Sequence, residues 1–239
     1  MPINNIIGLL FSKDRAMQLD GALKSFFLHC KDAVNIDISV LYTTSDWMHK
    51  KQYQKLAASY PSVNFVEETS FKDQVLECIK PYKFVLFLVD DIIFTRDFSV
   101  TEMSGHLEDH EDALGFSLRL GMNTTYCYTL YHDQKLPAFT PVDEYTLKFR
   151  WTDAEYDFNY PLEISMSIYR VEDIHPLLEK LSFTNPNSME YVMSCSAHNF
   201  GASKAFLLCK RNSLAFGYPV NTVQTFYTAN RLGNEYRYS

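Results

Sequence analysis

The run "KFVLFLVDDIIF" (residues 83–94) carries two adjacent aspartates, Asp90 and Asp91, directly after six apolar residues. An ionised carboxylate in apolar surroundings is costly, so the pair needs a cation, hydrogen-bond donors or water. Paired aspartate oxygens suit Mg2+ or Mn2+, hard cations that keep several waters and complete their shells with substrate phosphates. The chemistry implied is the binding of a diphosphate. A turn or helix cap after a strand would use the same residues without any ligand, and that reading stays open at this point.

Other chemistries fit less well. An apolar strand ending in acids also describes the magnesium-binding strand of nucleotide hydrolases, but none of the eight glycines builds the phosphate loop G-x-x-x-x-G-K-[ST]. No G-x-G-x-x-G follows a strand, which sets aside dinucleotide binding. In "HLEDH", His106 and His110 stand four apart, yet Leu107 takes the place of the glutamate in H-E-x-x-H, and a solvated helix surface is expected there. Five cysteines are scattered without a C-x-x-C pair and read as reduced, mostly buried thiols. With 29 acidic against 22 basic residues, a formal charge of -7 and no basic block, a nucleic-acid footprint is absent. No apolar run reaches the length of a membrane span and the first residues lack a secretory pattern. The expectation is a cytoplasmic protein without a transmembrane segment, with peripheral contact at the inner face of the membrane left open.

Positioning the two aspartates requires a strand, and the pattern around it is regular. "NIIGLLF" (5–11), "IDISVLYTT" (36–44), "VNFVEE" (63–68) and the run at 83–94 read as strands. Helical stretches separate them: Leu19, Leu23, Phe26, Phe27 and Cys30 share one helical face, "WMHKKQYQKLAASY" precedes Pro61, and "FKDQVLECI" follows. Strands alternating with helices imply right-handed crossovers, a mainly parallel sheet, and ligands outside the carboxyl ends of the strands. The second half is less regular. A polar helix over 100–112, a strand at "ALGFSLRL", extended structure or a hairpin in the aromatic region 121–160, a strand at "LEISMSIYR" (162–170), and helices from "VEDIHPLLEKL" and "NPNSMEYVM" are expected. No repeat or Pro/Gly/Ser linker marks a boundary, which favours one domain over residues 1–239.

The order "LLFSKDR", "VLYTTSD", "FVEE" and "FLVDDIIF", followed by "ISMSIYRVEDIHPLLEKL" and "NPNSMEYV", resembles the GT-A fold glycosyltransferases, nucleotide-diphospho-sugar transferases of family-2-like type. The resemblance covers most of residues 5–195. It implies an α/β, Rossmann-like sheet flanked by helices, with a nucleotide-sugar-binding half (1–98) and an acceptor-binding half (99–239). It implies a metal-dependent, inverting transfer of a sugar from a nucleoside diphosphate donor to a saccharide or glycolipid hydroxyl, as in polysaccharide biosynthesis, with Mn2+ or Mg2+ as cofactor. Carried over by residue, Asp91 is the metal ligand and Asp90 a partner in the metal shell or at the ribose. Phe11, Ser12, Lys13, Asp14 and Arg15 then lie against the nucleotide, with Thr43 and Thr44 beside the base. Val89 stands where the family has the first acid of D-x-D, so the division of labour between the acids departs from the family's. Glu190 takes the place of the general base, with Asp153, Asp157 and Glu163 as rivals, and Trp151 and Tyr156 are the aromatic candidates for an acceptor pocket. Ser12 or Asp14 capping a helix would also explain "SKDR", as would Asn187 or Ser188 for the helix carrying Glu190. The alternatives in function are a sugar nucleotidyltransferase and a non-catalytic carbohydrate- or nucleotide-binding module.

Overall fold

In a computed structural model, residues 4–218 are described. The chain begins β1 (Ile6–Lys13), α1 (Ala16–His29), β2 (Ile36–Thr43), α2 (Trp47–Ser59), β3 (Val63–Glu67), α3 (Phe71–Ile79) and β4 (Phe84–Val89). It continues with β5 (Ile92–Phe94), α4 (Val100–Asp109), β6 (Ala113–Ser117), β7 (Tyr126–Cys127), β8 (His132–Asp133), β9 (Phe139–Pro141) and β10 (Thr146–Arg150). Last come β11 (Met166–Arg170), α5 (Val171–Lys180), α6 (Pro186–Cys195), β12 (Phe206–Lys210) and β13 (Ala215–Gly217).

A nine-stranded sheet in the order β3-β2-β1-β4-β11-β6-β12-β10-β9 forms the centre, with β10 and β11 running against the other strands. β1 is buried along almost its whole length because both faces are covered. Ile6 and Leu10 face a layer with Leu19, Leu23 and Phe26 of α1, Tyr53 of α2 and Met103 of α4. Ile7, Leu9 and Phe11 face the opposite layer, with Val75 of α3, Ile174 of α5 and Met189 of α6. The chain order reverses direction across the sheet between β1 and β4, and open α/β sheets take ligands at such a switch point.

The structure departs from the expected elements in two places. The run 83–94 is two strands: β4 ends at Val89, and β5 leaves the sheet to pair with β13. The strand at 162–170 begins only at Met166, because the Glu163 carboxylate accepts from the Ser165 and Met166 amides and holds a turn there. The aromatic region 121–160 holds the expected extended structure, as the short antiparallel β7–β8 ribbon and the β9–β10 pair. The aromatic tail "VNTVQTFYTANRLGNEY" lies outside the described residues. Among those described, no helix is long and apolar enough to cross a membrane.

Candidate active site

Two charged centres form at one edge of the sheet. β1 and β4 are parallel with Phe11 beside Val89, and β1 and β2 with Lys13 beside Thr43, so "SKDR", Thr43, Thr44 and both aspartates emerge together. β11 sets Met166 beside Leu88 and Ser167 beside Ser117, which brings the 163–165 turn and Arg119 to that same edge.

At the β1/β4 centre, Ser12 Oγ donates to Asp90 Oδ2 at 2.8 Å and the Lys13 amide to the same oxygen at 3.4 Å. Asp14 has φ 54°, a left-handed conformation that L residues seldom take, and its carboxylate accepts from the Ser45 amide at 2.8 Å. This kink turns the chain from β1 into α1. It sends Arg15 back over the aspartates, where Nη1 stands 2.9 Å from Asp90 Oδ1 and 2.9 Å from Asp91 Oδ2. The Tyr53 hydroxyl braces the turn by bonding Ser12 and accepting from the Arg15 amide, and its ring stacks on Tyr42. Ser12 and Asp14 are therefore not helix caps, and α1 begins without a side-chain cap bond.

Burial pushes the Asp90 carboxyl up to about 6, the Asp91 charge adding to the shift while Arg15 and Ser12 oppose it. Burial alone would lower the Arg15 guanidinium, but the two carboxylates outweigh it and its pKa is raised. Two side chains differ from the sequence reading. The Phe11 ring points away into the opposite layer, between Phe71 and Phe87, because alternate residues of a strand face opposite sides. Asp90 is not free to ligate a metal, since both its oxygens are engaged within the protein. Asp91 is half-exposed, and one of its oxygens bonds Arg15. Its other oxygen, with donor phosphates and water, suits a hard divalent cation bound through a single carboxylate. Lys13 is exposed and Thr43 and Thr44 half-buried at the mouth of this centre. Tyr53 had no signal in the sequence beyond its place on an amphipathic helix.

At the β6/β11 centre, Arg119 stands 3.0 Å from Asp157 and 3.8 Å from Glu163. Gln134 fixes Asp157 from the other side, donating to its carboxylate at 3.0 Å and accepting from its amide. Glu163 is saturated by the Ser165 and Met166 amides and the Ser165 and Ser167 hydroxyls. The Tyr169 hydroxyl donates to the Glu163 carbonyl at 2.7 Å, and its ring lies where a side chain on Gly115 would collide at 2.6 Å. Glu190 differs from its neighbours: its carboxylate accepts only a long bond of 3.4 Å from the Ile164 amide. Burial first, and then the charge of Glu163, push it up to about 7, with Ile164 and Arg119 pulling the other way. Its helix is capped by Asn185 in a box with Ser188 and opened by Pro186, so neither Asn187 nor Ser188 is the N-cap and Glu190 lies beyond the first turn.

Asp153 pairs with Arg150 in an exposed stretch and does not join this cluster. Trp151 is buried with Nε1 donating to the Lys204 carbonyl, a core role. Tyr156 is partly exposed at φ 50° and lies parallel to His132 at 5.8 Å. His106 is not a solvated surface group. It reaches Asp143 at 3.0 Å and Glu102 at 3.6 Å, a trio able to hold a metal, but Lys210 already bonds Glu102 there.

No family model matches the chain. It is 32% identical over 213 residues to the bifunctional glycosyltransferase pgtA of Dictyostelium discoideum, covering 79% of this chain and 28% of pgtA. The chain thus spans little more than a quarter of that relative's length. Among solved structures, TarS of S. aureus aligns with a TM-score of 0.55 at 11% identity over 90% of this chain and 37% of TarS. The mannosyltransferase PcManGT of Pyrobaculum calidifontis, in complex with GDP-Man and Mn2+, aligns at 0.50 with 11% identity over 85% of this chain and 53% of that one. A cytidylyltransferase of Leptospira borgpetersenii aligns at 0.52 with 11% identity over 84% and 74%. The chain has the GT-A fold of the glycosyltransferases. Its sequence relative is itself a glycosyltransferase.

Proposed function

We propose that the chain is a metal-dependent, inverting glycosyltransferase that moves a sugar from a nucleoside diphosphate donor to a hydroxyl of a saccharide or glycolipid. The observation that carries this reading is the pairing, at one sheet edge, of a cation-and-carboxylate centre with a poorly bonded, half-buried carboxylate, Glu190. Residues 1–98 form the donor half and 99–239 the acceptor half. The neighbours PcManGT, bound to GDP-Man and Mn2+, and TarS, bound to UDP-GlcNAc, lend the donor class and the metal.

In this mechanism the donor diphosphate lies against Arg15 and Asp91, with Ser12, Lys13, Thr43 and Thr44 around the nucleotide. A bound Mn2+ or Mg2+ supplies charge stabilisation to the departing diphosphate. Glu190 accepts the proton of the acceptor hydroxyl as its oxygen forms the new bond to the anomeric carbon. The bond from that carbon to the diphosphate breaks, and the nucleoside diphosphate leaves with the electron pair. A group that titrates near 7 is well matched to this work. Arg119, itself fixed by Asp157, pairs with Glu163, whose charge keeps Glu190 basic. Five free thiols suit a cytoplasmic setting, and the inner face of the membrane is where a glycolipid acceptor would be met.

The cytidylyltransferase likeness favours one rival, a sugar nucleotidyltransferase, although the glycine-rich first loop of that class is missing. A thermal-shift panel of nucleoside diphosphate sugars, with and without Mn2+, followed by a hydrolysis and transfer assay on each stabilising donor, tests the reading. Stabilisation by one donor and release of its nucleoside diphosphate are expected. Pyrophosphate release from a nucleoside triphosphate and a sugar phosphate would overturn it, and binding without any turnover would indicate a non-catalytic module.

A further inference from the structure

The two aspartates beneath Arg15 are not equivalent. Asp90 is 4% exposed, and its second oxygen is filled by Ser12 and Lys13, so it holds the guanidinium whatever happens at Asp91. The Asp91 side chain is 21% exposed, and Arg15 is its only ion-pair partner among the described residues. A divalent cation on Asp91 would stand within a few ångströms of the guanidinium, and like charges at that distance repel strongly where water is scarce. One arginine against two aspartates leaves the trio at a formal charge of -1. A divalent cation alone reverses that sign, whereas a cation arriving with a diphosphate does not.

We propose that Arg15 is a resident counter-cation that competes with the divalent metal for Asp91: anchored on Asp90, it yields Asp91 only when metal and diphosphate arrive together, and then turns to the diphosphate. The proposal rests on the glycosyltransferase reading for the diphosphate. Metal and diphosphate then bind with positive coupling, each raising the affinity for the other. The metal by itself binds poorly.

The test is titration of the purified chain with Mn2+ alone, following the electron paramagnetic resonance of the free aqua ion. Arg15→Gln should bind Mn2+ about tenfold or more tightly than wild type, the scale of one charge-assisted bond released. Adding Asp91→Asn should abolish the gain. Because Arg15→Gln strands the buried Asp90 charge and can impair folding, Arg15→Gln/Asp90→Asn, neutral at both positions and intact at Asp91, should also gain affinity over wild type, by less than Arg15→Gln because one acid is gone. If neither variant gains affinity while Asp91→Asn still weakens Mn2+ binding in the presence of a nucleoside diphosphate, the competition is refuted and the metal at Asp91 stands. If Asp91→Asn changes Mn2+ binding in no background, the metal is not at Asp91, and the competition falls together with the metal-dependent part of the functional reading.

Discussion

The two charged centres are built from the same materials and wired in opposite ways. Each has carboxylates, an arginine and hydroxyl donors at the same sheet edge. At β1/β4 a single arginine nitrogen bridges both aspartates, so one cation serves two acids and the trio keeps a formal charge of -1. At β6/β11 the arginine is spent on Asp157 and Glu163, and Glu163 is saturated by further donors. Glu190 is left with one long bond. Satisfying two acids of a cluster fully and the third hardly at all is a means of setting one carboxylate apart as a base.

Glu190→Gln is expected to have the largest effect, a fall in transfer rate of about 100-fold to 10,000-fold with donor binding unchanged, read by steady-state kinetics and calorimetry. Transfer near the wild-type rate would erase the contrast between the centres, since Glu190 would then be as idle as Glu163. The pH dependence sharpens it. A base works deprotonated, so activity should rise with pH through about 7 in the wild type. Glu163→Gln removes the like charge that raises Glu190, so this limb should move to lower pH and activity at neutral pH should change by no more than about twofold, as far as a half-ionised base can gain. An unmoved limb would mean that the titrating group is not Glu190.

The smallest effect is expected at Phe11. Its ring lies in the layer opposite Arg15, so Phe11→Leu should lower the unfolding free energy by about 1 kcal/mol in denaturant titration and leave donor affinity as it was. A loss of donor affinity without loss of stability would return Phe11 to the β1/β4 centre.

Much of the first half was legible because its signals are local. Apolar runs, helical spacing and the position of "VDD" after the fourth run define four parallel strands, and parallel strands end at one edge. The period of two of any strand should have turned Phe11 away from Ser12, since neighbouring strand residues face opposite layers. The second half was harder, because its strands are short and some of its turns are held by side chains, as Glu163 holds 163–165.

The sequence by itself determined which residue types reach the carboxyl edge: two aspartates after β4, a basic loop after β1, and several acids beyond β6. Only the tertiary structure decided which of those acids are paired. Arg15 meets Asp90 across 75 residues, and Arg119 meets Asp157 across 38. Those pairings, with the burial around them, make Asp90 an anchor, Asp91 an accessible carboxylate and Glu190 a carboxylate short of donors. Charge and proton affinity depend on neighbours in space, and sequence spacing carries no record of them.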